Sequence, residues 1–302
     1  MSVIATSSSQ IYNALKGLLC LHKPSGILLS DFLSQAHDKI LKELNDSNPE
    51  YQERLKNMKK IQSQRGLIDY SSHPLVLGDG YDQEDLYFNA VNDLDEFTSG
   101  LSLVSINCDE TFEKIKSSVF LRQYMLDIEF GKATSNSFSS GRLKEKSSFE
   151  HLIGKPQILE KNLAKIRSSH QRDAFKQCGV GLKSKEAYDL AVKGLVKPQE
   201  EHEGFTLLYG LEVVNYKLPK VALKVTCVNE TPRYLAEFAA ELGLLLKSNA
   251  VLNGLRLVRY GPFNAENSLL ANQINLQNVI DNIHKNSEKL STIPSNSSNF
   301  EE

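Results

Sequence analysis

The stretch that decides the fold is Leu94-Asp95-Glu96-Phe97-Thr98-Ser99-Gly100, in which an aspartate precedes a Thr-Ser-Gly turn. Two other pieces belong with it: Lys23-Pro24-Ser25-Gly26, about seventy residues earlier, and Tyr124, about thirty residues later. On its own, an aspartate before a Ser-Gly turn is typical of an ordinary turn. The order and spacing of the three pieces indicate instead that one carboxylate, Asp95, has a chemical function.

Size and composition describe an ordinary globular chain. With 302 residues, 40% of them hydrophobic and 24% charged, it can bury a substantial core in one large domain or two modest ones. The longest apolar patches, near Leu18–Leu21 and Leu242–Leu246, fall far short of the roughly 18 residues that cross a bilayer, which predicts no membrane span. The four cysteines are scattered without Cys-x-x-Cys spacing, so the sequence predicts neither a zinc site nor a disulfide framework, and a reducing compartment is the simplest interpretation.

The charges are unevenly distributed along the chain. The net charge is −2, which argues against a protein that coats nucleic acid nonspecifically. Residues 141–200 carry 13 Lys or Arg against 7 Asp or Glu, whereas residues 71–110 carry nine acidic residues and no Lys or Arg. The basic segment could hold phosphates or could be a solvated helix face, and the acidic segment would repel phosphates.

The N-terminus permits two interpretations. Residues 1–30 contain no Asp or Glu and are rich in serine, which suits a mitochondrial presequence. Their basic residues are limited to Lys16 and Lys23, and arginine is absent. A frayed terminus explains the same composition.

Hydrophobic periodicity predicts a mixture of helices and strands. Strands are expected at 18–21, 101–106, 124–130, 211–216 and 221–228, and helices at 157–167, after caps at Ser30, Ser184 and Thr231, and around 276–283. Period-two alternation places Tyr124 on the apolar face of its strand. Residues 45–72 are expected to be a long loop with a short helix around 51–60, and residues from about 287 onward a polar, flexible tail.

With these landmarks placed, the sequence resembles the TruB family of RNA pseudouridine synthases, most closely the animal mitochondrial TruB-type members. Four segments carry the resemblance: Leu19-Cys20-Leu21-His22-Lys23-Pro24-Ser25-Gly26, Leu94 to Gly100, Arg122-Gln123-Tyr124, and Gly131-Lys132-Ala133-Thr134 running to Gly141-Arg142-Leu143. It covers roughly residues 17–284. It implies an α+β fold: a pseudouridine-synthase-like, mixed and mainly antiparallel sheet with flanking helices and a central cleft.

The resemblance implies isomerisation of a uridine within RNA, by detaching the uracil and rejoining it through carbon, with no cofactor and no metal. Asp95 would be the catalytic aspartate, because breaking an N-glycosidic bond builds positive charge that an ionised carboxylate stabilises or captures. Tyr124 would receive the face of the extruded base, with a half-buried core tyrosine as the alternative. Lys23 and Pro24 would shape the loop near the pocket, although Lys23 could equally be a solvated turn lysine.

Several positions depart from the family pattern. The family arginine that pairs with the catalytic aspartate lies seven residues before a glycine; counting back from Gly243 gives Ala236. Arg233 or Arg256 would have to substitute as substrate-site cations. Asp93 and Glu96 crowd Asp95 with like charge, and this negative charge repels phosphates.

The sequence therefore leaves three functions open. The first is an active synthase acting on mitochondrial mRNA or tRNA; the second is a weak or inactive RNA-binding chaperone or scaffold in mitochondrial RNA metabolism; the third is a divergent fold-mate that binds only proteins. We expect a flexible N-terminus over 1–16, a catalytic domain over 17–275, and a helix with a polar tail over 276–302, without a separate C-terminal RNA-binding module. Expected partners are RNA and mitochondrial RNA-processing proteins, and the expected location is the mitochondrial matrix, otherwise the cytoplasm or nucleus.

Overall fold

The computed structural model describes residues 8–48, 51–53, 80–181, 183–192 and 206–292. Its strands are β1 (Gly17–Lys23), β2 (Phe88–Ala90), β3 (Thr98–Ile106), β4 (Arg122–Phe130), β5 (Lys132–Thr134), β6 (Leu143–Lys146), β7 (Leu207–Lys217), β8 (Lys220–Val228), β9 (Ala250–Tyr260) and β10 (Phe263–Asn264). Its helices are α1 (Ser8–Ala14), α2 (Leu29–Asp46), α3 (Asp109–Lys116), α4 (Pro156–Gln177), α5 (Lys185–Val192), α6 (Pro232–Leu245) and α7 (Leu276–Ser291).

One mixed sheet organises the described part of the chain. Its strand order is β1-β3-β9-β4-β8-β7, with β2 added beside β3 and β10 beside β9. All pairs are antiparallel except β3 with β9, which run parallel over Thr98–Gly100 against Leu255–Leu257. The predicted α+β class with a mainly antiparallel sheet is confirmed.

The helices cover the sheet with two apolar cores. The larger core joins α6 to the β4, β8 and β9 strands, with Leu235, Ala236 and Phe238 among its helix residues. The smaller core packs α2 and α7 against β1 and β3, and it contains Phe32 and Ile40. Helices α2 and α7 both present apolar residues at helical spacing, as a helix that packs on a sheet requires.

The predicted caps had different outcomes. Thr231 caps α6 as expected, because its side-chain oxygen accepts a hydrogen bond from the Tyr234 N–H at 3.2 Å. Ser184 likewise accepts from the Ala187 N–H at 3.2 Å, at the start of α5. The Ser30 cap is wrong: α2 begins at Leu29, so Leu28 stands at the cap position and makes no side-chain cap bond.

Several boundaries also differ from expectation. Helix α4 continues ten residues past the predicted end at Arg167, and α7 extends to Ser291, into the segment expected to be a flexible tail. Within the expected flexible N-terminus, residues 8–14 are helical and the following Leu15 is fully buried. Residues 51–53 of the expected short helix are helical; residues 54–79, Gly194 and residues 293–302 lie outside the described ranges.

Within those ranges, no helix combines the length and the apolar character that a membrane crossing needs.

Candidate active site around Asp95

The Lys-Pro-Ser-Gly segment and the aspartate segment meet where β1 ends and β3 begins. Lys23 is directly opposite Gly100 in the antiparallel register of these strands. Just beyond the strand end, the Gly26 N–H donates to the carbonyl of Glu96 at 2.8 Å. Pieces of chain that are about seventy residues apart therefore form one structural unit.

Lys23 is the centre of this unit. Its side chain has no exposed surface, and its ammonium donates to the carbonyl oxygens of Asp95 at 2.8 Å and Thr98 at 2.9 Å. The carbonyls of Pro24 at 3.2 Å and Glu96 at 3.5 Å complete the acceptor set. The alternative of a solvated turn lysine is excluded, because this ammonium fastens the backbone that carries Asp95.

Burial and nearby charges oppose each other at Lys23. Removal from water lowers the pKa of the Lys23 ammonium, and the negative charges of Asp95, Glu96 and Asp93 partly restore it. The acidic crowding that the sequence shows around Asp95 thus has a structural counterpart, since these carboxylates reduce the cost of burying the lysine.

Asp95 is half-buried and its carboxylate is oriented. Its Oδ1 accepts a hydrogen bond from the Thr98 N–H at 2.7 Å, closing a turn before β3 begins. Among the described residues, no Lys or Arg nitrogen lies within 4 Å of this carboxylate. The carboxylate is therefore fixed in direction by its bond to the Thr98 N–H.

Tyr124 lies on the apolar face of β4, as the alternation predicts. It is 4% exposed, and its hydroxyl donates to the Glu230 Oε1 at 2.8 Å. Arg122, on the same face, holds the same carboxylate oxygen at 3.3 Å and lies over the Tyr260 ring at 4.8 Å. Burial first, and then the charge of Glu230, raise the pKa of the Tyr124 phenol well above its usual value.

Glu230 and Arg122 were not predicted as site residues. Glu230 precedes the Thr231 cap of α6, and its side chain is completely buried. The sequence offered one signal, which is that Arg122 lies two residues before Tyr124 and so shares its side of the strand. The pairing with Glu230 spans 108 residues and has no local signature.

The two arginines predicted as substitute cations lie elsewhere. Arg233 is exposed on α6, where its Nε contacts Glu237 at 2.9 Å. Arg256 adjoins Leu257, the register partner of Tyr124, so alternation along β9 puts Arg256 on the opposite face of the sheet. There it lines a cavity of about 490 Å³ together with His22, Gln123, Val258, Arg259, Asn264, Ala265 and Glu266. Burial and then the charge of Arg256 lower the pKa of His22.

Position 236, where the family arginine is expected, is fully buried in the core under α6. No Lys or Arg within the described ranges forms an ion pair with the Asp95 carboxylate, although the Lys23 ammonium interacts with it electrostatically. No group of three or more His, Cys, Asp or Glu side chains within those ranges is arranged to hold a metal ion.

Proteins of known name resemble this chain over most of its length. No family model matches the chain. It is 28% identical over 282 residues to the human protein named pseudouridylate synthase TRUB2, mitochondrial, and the match covers 89% of this chain and 83% of that protein. The Xenopus tropicalis protein of the same name is 27% identical over 281 residues, covering 89% and 85%. The resemblance to TruB-type pseudouridine synthases is confirmed.

More distant matches cover less of their own length. The tRNA pseudouridine synthase B of Dehalococcoides mccartyi is 26% identical over 176 residues, which is 58% of this chain and 56% of that one. Among solved structures, a chain of a Cbf5-Nop10-Gar1 complex is 14% identical with a TM-score of 0.42, covering 88% of this chain. A chain of an H/ACA RNP bound to a substrate RNA is 13% identical with a TM-score of 0.43. This chain spans about half of the length of those two solved chains.

Proposed function

We propose that this protein is an RNA pseudouridine synthase in which Asp95 is the catalytic carboxylate. The observation that carries the proposal is the attachment of the Asp95 backbone to the buried Lys23 ammonium, together with the Asp95 Oδ1 bond to the Thr98 N–H. A carboxylate held in this way is preorganised for charge that develops on a ribose during N-glycosidic cleavage. Similarity to TruB-type synthases over 89% of the chain supports the same chemistry.

The neighbouring residues have distinct functions in this proposal. Lys23 and Pro24 position the Asp95 loop, and Tyr124 bounds the pocket into which the target uridine is extruded. Arg233, on the exposed side of α6, and Arg256, on the reverse face of the sheet, contact RNA phosphates rather than Asp95. We expect the reaction to need no external oxidant, reductant or group donor, because the isomerisation changes neither the oxidation state nor the composition of the nucleotide.

The substrate is tRNA or mitochondrial mRNA, and the protein works in the mitochondrial matrix with RNA-processing proteins. The mitochondrial designation of the human and Xenopus relatives supports this location. The exposed basic side chains of α4 give RNA a cationic surface outside the acidic Asp95 region. In this proposal the exposed basic side chains within the catalytic domain over 17–275 contact the RNA backbone.

One observation favours a second function. Because Ala236 replaces the expected arginine and no described Lys or Arg contacts the Asp95 carboxylate, the protein could bind RNA as a chaperone or scaffold with little or no turnover. In that case Asp95 would be retained for its bond to the Thr98 N–H and its electrostatic interaction with Lys23.

Chemical mapping of pseudouridine distinguishes the two. Purified protein is incubated with total and mitochondrial RNA, and wild type is compared with Asp95→Asn, Asp95→Ala and the neighbouring-charge control Asp93→Asn. Asparagine keeps an acceptor for the Thr98 N–H but cannot act as a nucleophile, so we expect product formation to fall by at least about a thousandfold. Asp93→Asn should keep the modified site.

The Ala236→Arg variant tests the second function directly. If the wild-type protein forms no pseudouridine while Ala236→Arg does, loss of the family arginine explains the inactivity. That result would support the scaffold function. Since position 236 is fully buried, thermal unfolding of this variant must be measured alongside. If neither protein binds RNA at low salt, both functions are wrong.

A further inference from the structure

Phe97 is a large apolar side chain exposed in an acidic, polar loop. Its ring is 39% exposed, although Leu94 before it and Thr98 after it are buried. It lies two residues after Asp95, in the loop that carries the proposed catalytic carboxylate. A single exposed phenylalanine is common on protein surfaces and does not by itself indicate a binding site. The contacts that hold the Phe97 ring in place are therefore the relevant evidence.

The underside of the Phe97 ring is supported by a second aromatic ring. Phe138 stacks on it with the ring centroids 5.0 Å apart and the planes inclined by 28°. Phe138 is only 9% exposed and belongs to the main core. Its own backbone is fixed, because its N–H donates to the Asn136 Oδ1 at 3.1 Å and its carbonyl accepts from the Thr134 hydroxyl at 2.7 Å.

The backbone on both sides of Phe97 is also fixed. The carbonyl of Glu96 accepts from the Gly26 N–H, and the carbonyl of Thr98 accepts from the Lys23 ammonium. The ring is therefore held in place before any ligand arrives. A preordered aromatic face loses little entropy when a planar group stacks on it.

From this geometry we infer that Phe97 and Phe138 form a stacking platform for the nucleobase adjacent to the target uridine. The inference rests on the proposed function. Extruding a uridine unstacks its neighbours, and an aromatic ring can replace the lost stacking for any base. The occupant is a base rather than a backbone phosphate, because the loop that carries Phe97 also carries Asp93, Asp95 and Glu96, whose negative charges repel phosphates.

The test measures stacking, not turnover. The probe is a short single-stranded RNA that has a central uridine with 2-aminopurine next to it. A second single-stranded RNA, measured separately for comparison, is abasic at that neighbouring position. Affinities and 2-aminopurine fluorescence are measured for wild type, Phe97→Ala, Phe97→Trp and the control Phe112→Ala, which truncates a partly buried phenylalanine on α3.

We expect Phe97→Ala to weaken binding of the intact RNA by about fivefold to a hundredfold. The abasic RNA should show no such difference, Phe97→Trp should retain binding and the fluorescence quenching, and Phe112→Ala should bind as wild type does. The platform is refuted if Phe97→Ala binds the intact RNA normally, or if its loss is equally large with the abasic RNA.

The two proposals can fail separately. If Phe97→Ala weakens binding only of the RNA that carries the neighbouring base, and no pseudouridine forms, the platform is retained and catalysis is rejected. If pseudouridine forms but Phe97→Ala binds both RNAs as wild type does, catalysis is retained and the platform is rejected.

Discussion

Lys23 is the residue on which the candidate site depends most. A lysine without exposed surface is unusual, and this one is tolerated because four backbone carbonyls and three neighbouring acidic side chains compensate its burial. The same contacts determine where Asp95 lies. Stability and positioning are therefore linked through one ammonium group.

Replacing Lys23 should damage both properties. Lys23→Met keeps much of the apolar stem but leaves the carbonyls of Asp95 and Thr98 without their donor, and we expect a loss of about 2–4 kcal/mol in the free energy of unfolding. Urea denaturation measures it. Lys39→Met, on the exposed side of α2, is the matched control and should stay within about 0.5 kcal/mol of wild type. An equally stable Lys23→Met protein would refute the fastening of the Asp95 loop.

The Tyr124 phenol predicts a pH dependence of stability. Its pKa is raised in the folded state, so the unfolded chain loses this proton at a lower pH, and the stabilisation that Tyr124 contributes is lost as pH rises above the usual value of 10.0. The stability difference between wild type and Tyr124→Phe should be constant from about pH 7 to pH 9 and should shrink by about 1.4 kcal/mol per pH unit above about pH 10. Urea titrations of both proteins across this range give the difference. A difference that stays constant above pH 10 would contradict the raised pKa of the buried Tyr124 phenol.

Gly100 allows the close approach of strands β3 and β9. Its φ of 110° is unfavourable for other residues, and a Cβ there would collide with the backbone carbonyl of Leu257. This close approach joins the strand that follows Asp95 to the strand that borders Tyr124. The relative placement of the two proposed site residues therefore depends on a glycine.

Gly100→Ala should separate these strands. We expect a loss of at least about 2 kcal/mol in stability, because conformational strain and the collision add together. Gly26→Ala is the matched control, since Gly26 also has a positive φ, of 85°, but a Cβ at that position would meet no atom within 4 Å. Thermal unfolding should show a clearly smaller loss for Gly26→Ala, and equal losses would mean that the contact with Leu257 is unimportant.

Local chemistry explains which elements the sequence could predict. The Thr231 cap and the strands β7 and β8 depend on residues close in sequence, and the sequence predicts the cap and a strand at each of these two places. Helix α4 was predicted too short because few of its residues are buried, so its periodicity is weak beyond Leu163. The parallel β3–β9 pairing joins segments more than 150 residues apart, and no local pattern encodes it.

The candidate site was predictable only in part for the same reason. Motif spacing brought Lys23 and Asp95 together, and alternation placed Tyr124 on the buried face of β4. The burial of Lys23 and the Tyr124–Glu230 bond depend on tertiary contacts. The assignment of site functions to Arg233 and Arg256 stays a prediction, and neither is near enough to the Asp95 carboxylate to form an ion pair in the described structure.

At the scale of the whole molecule, charge is separated between two regions. The segment around Asp95 is acidic, whereas α4 exposes Lys161, Lys165, Arg167 and Arg172. With a net charge of only −2, long-range attraction to RNA has to come from such a local basic surface. In the proposed function, α4 would hold the RNA backbone, and the extruded nucleotide would be the part of the RNA that meets Asp95.

This separation predicts how salt affects RNA binding. Each phosphate contact to a single strand contributes about 0.7 to the slope of log affinity against log salt, so the triple variant Lys161→Ala, Lys165→Ala, Arg172→Ala should reduce the slope by up to about 2. The matched control removes three exposed lysines from α2 and α7, with Lys39→Ala, Lys42→Ala and Lys285→Ala. Because total charge changes equally in both variants, a larger slope change in the α4 variant assigns the RNA contacts to that helix. Equal changes would mean that RNA responds to net charge alone, and the basic run of α4 would then be a solvated helix face.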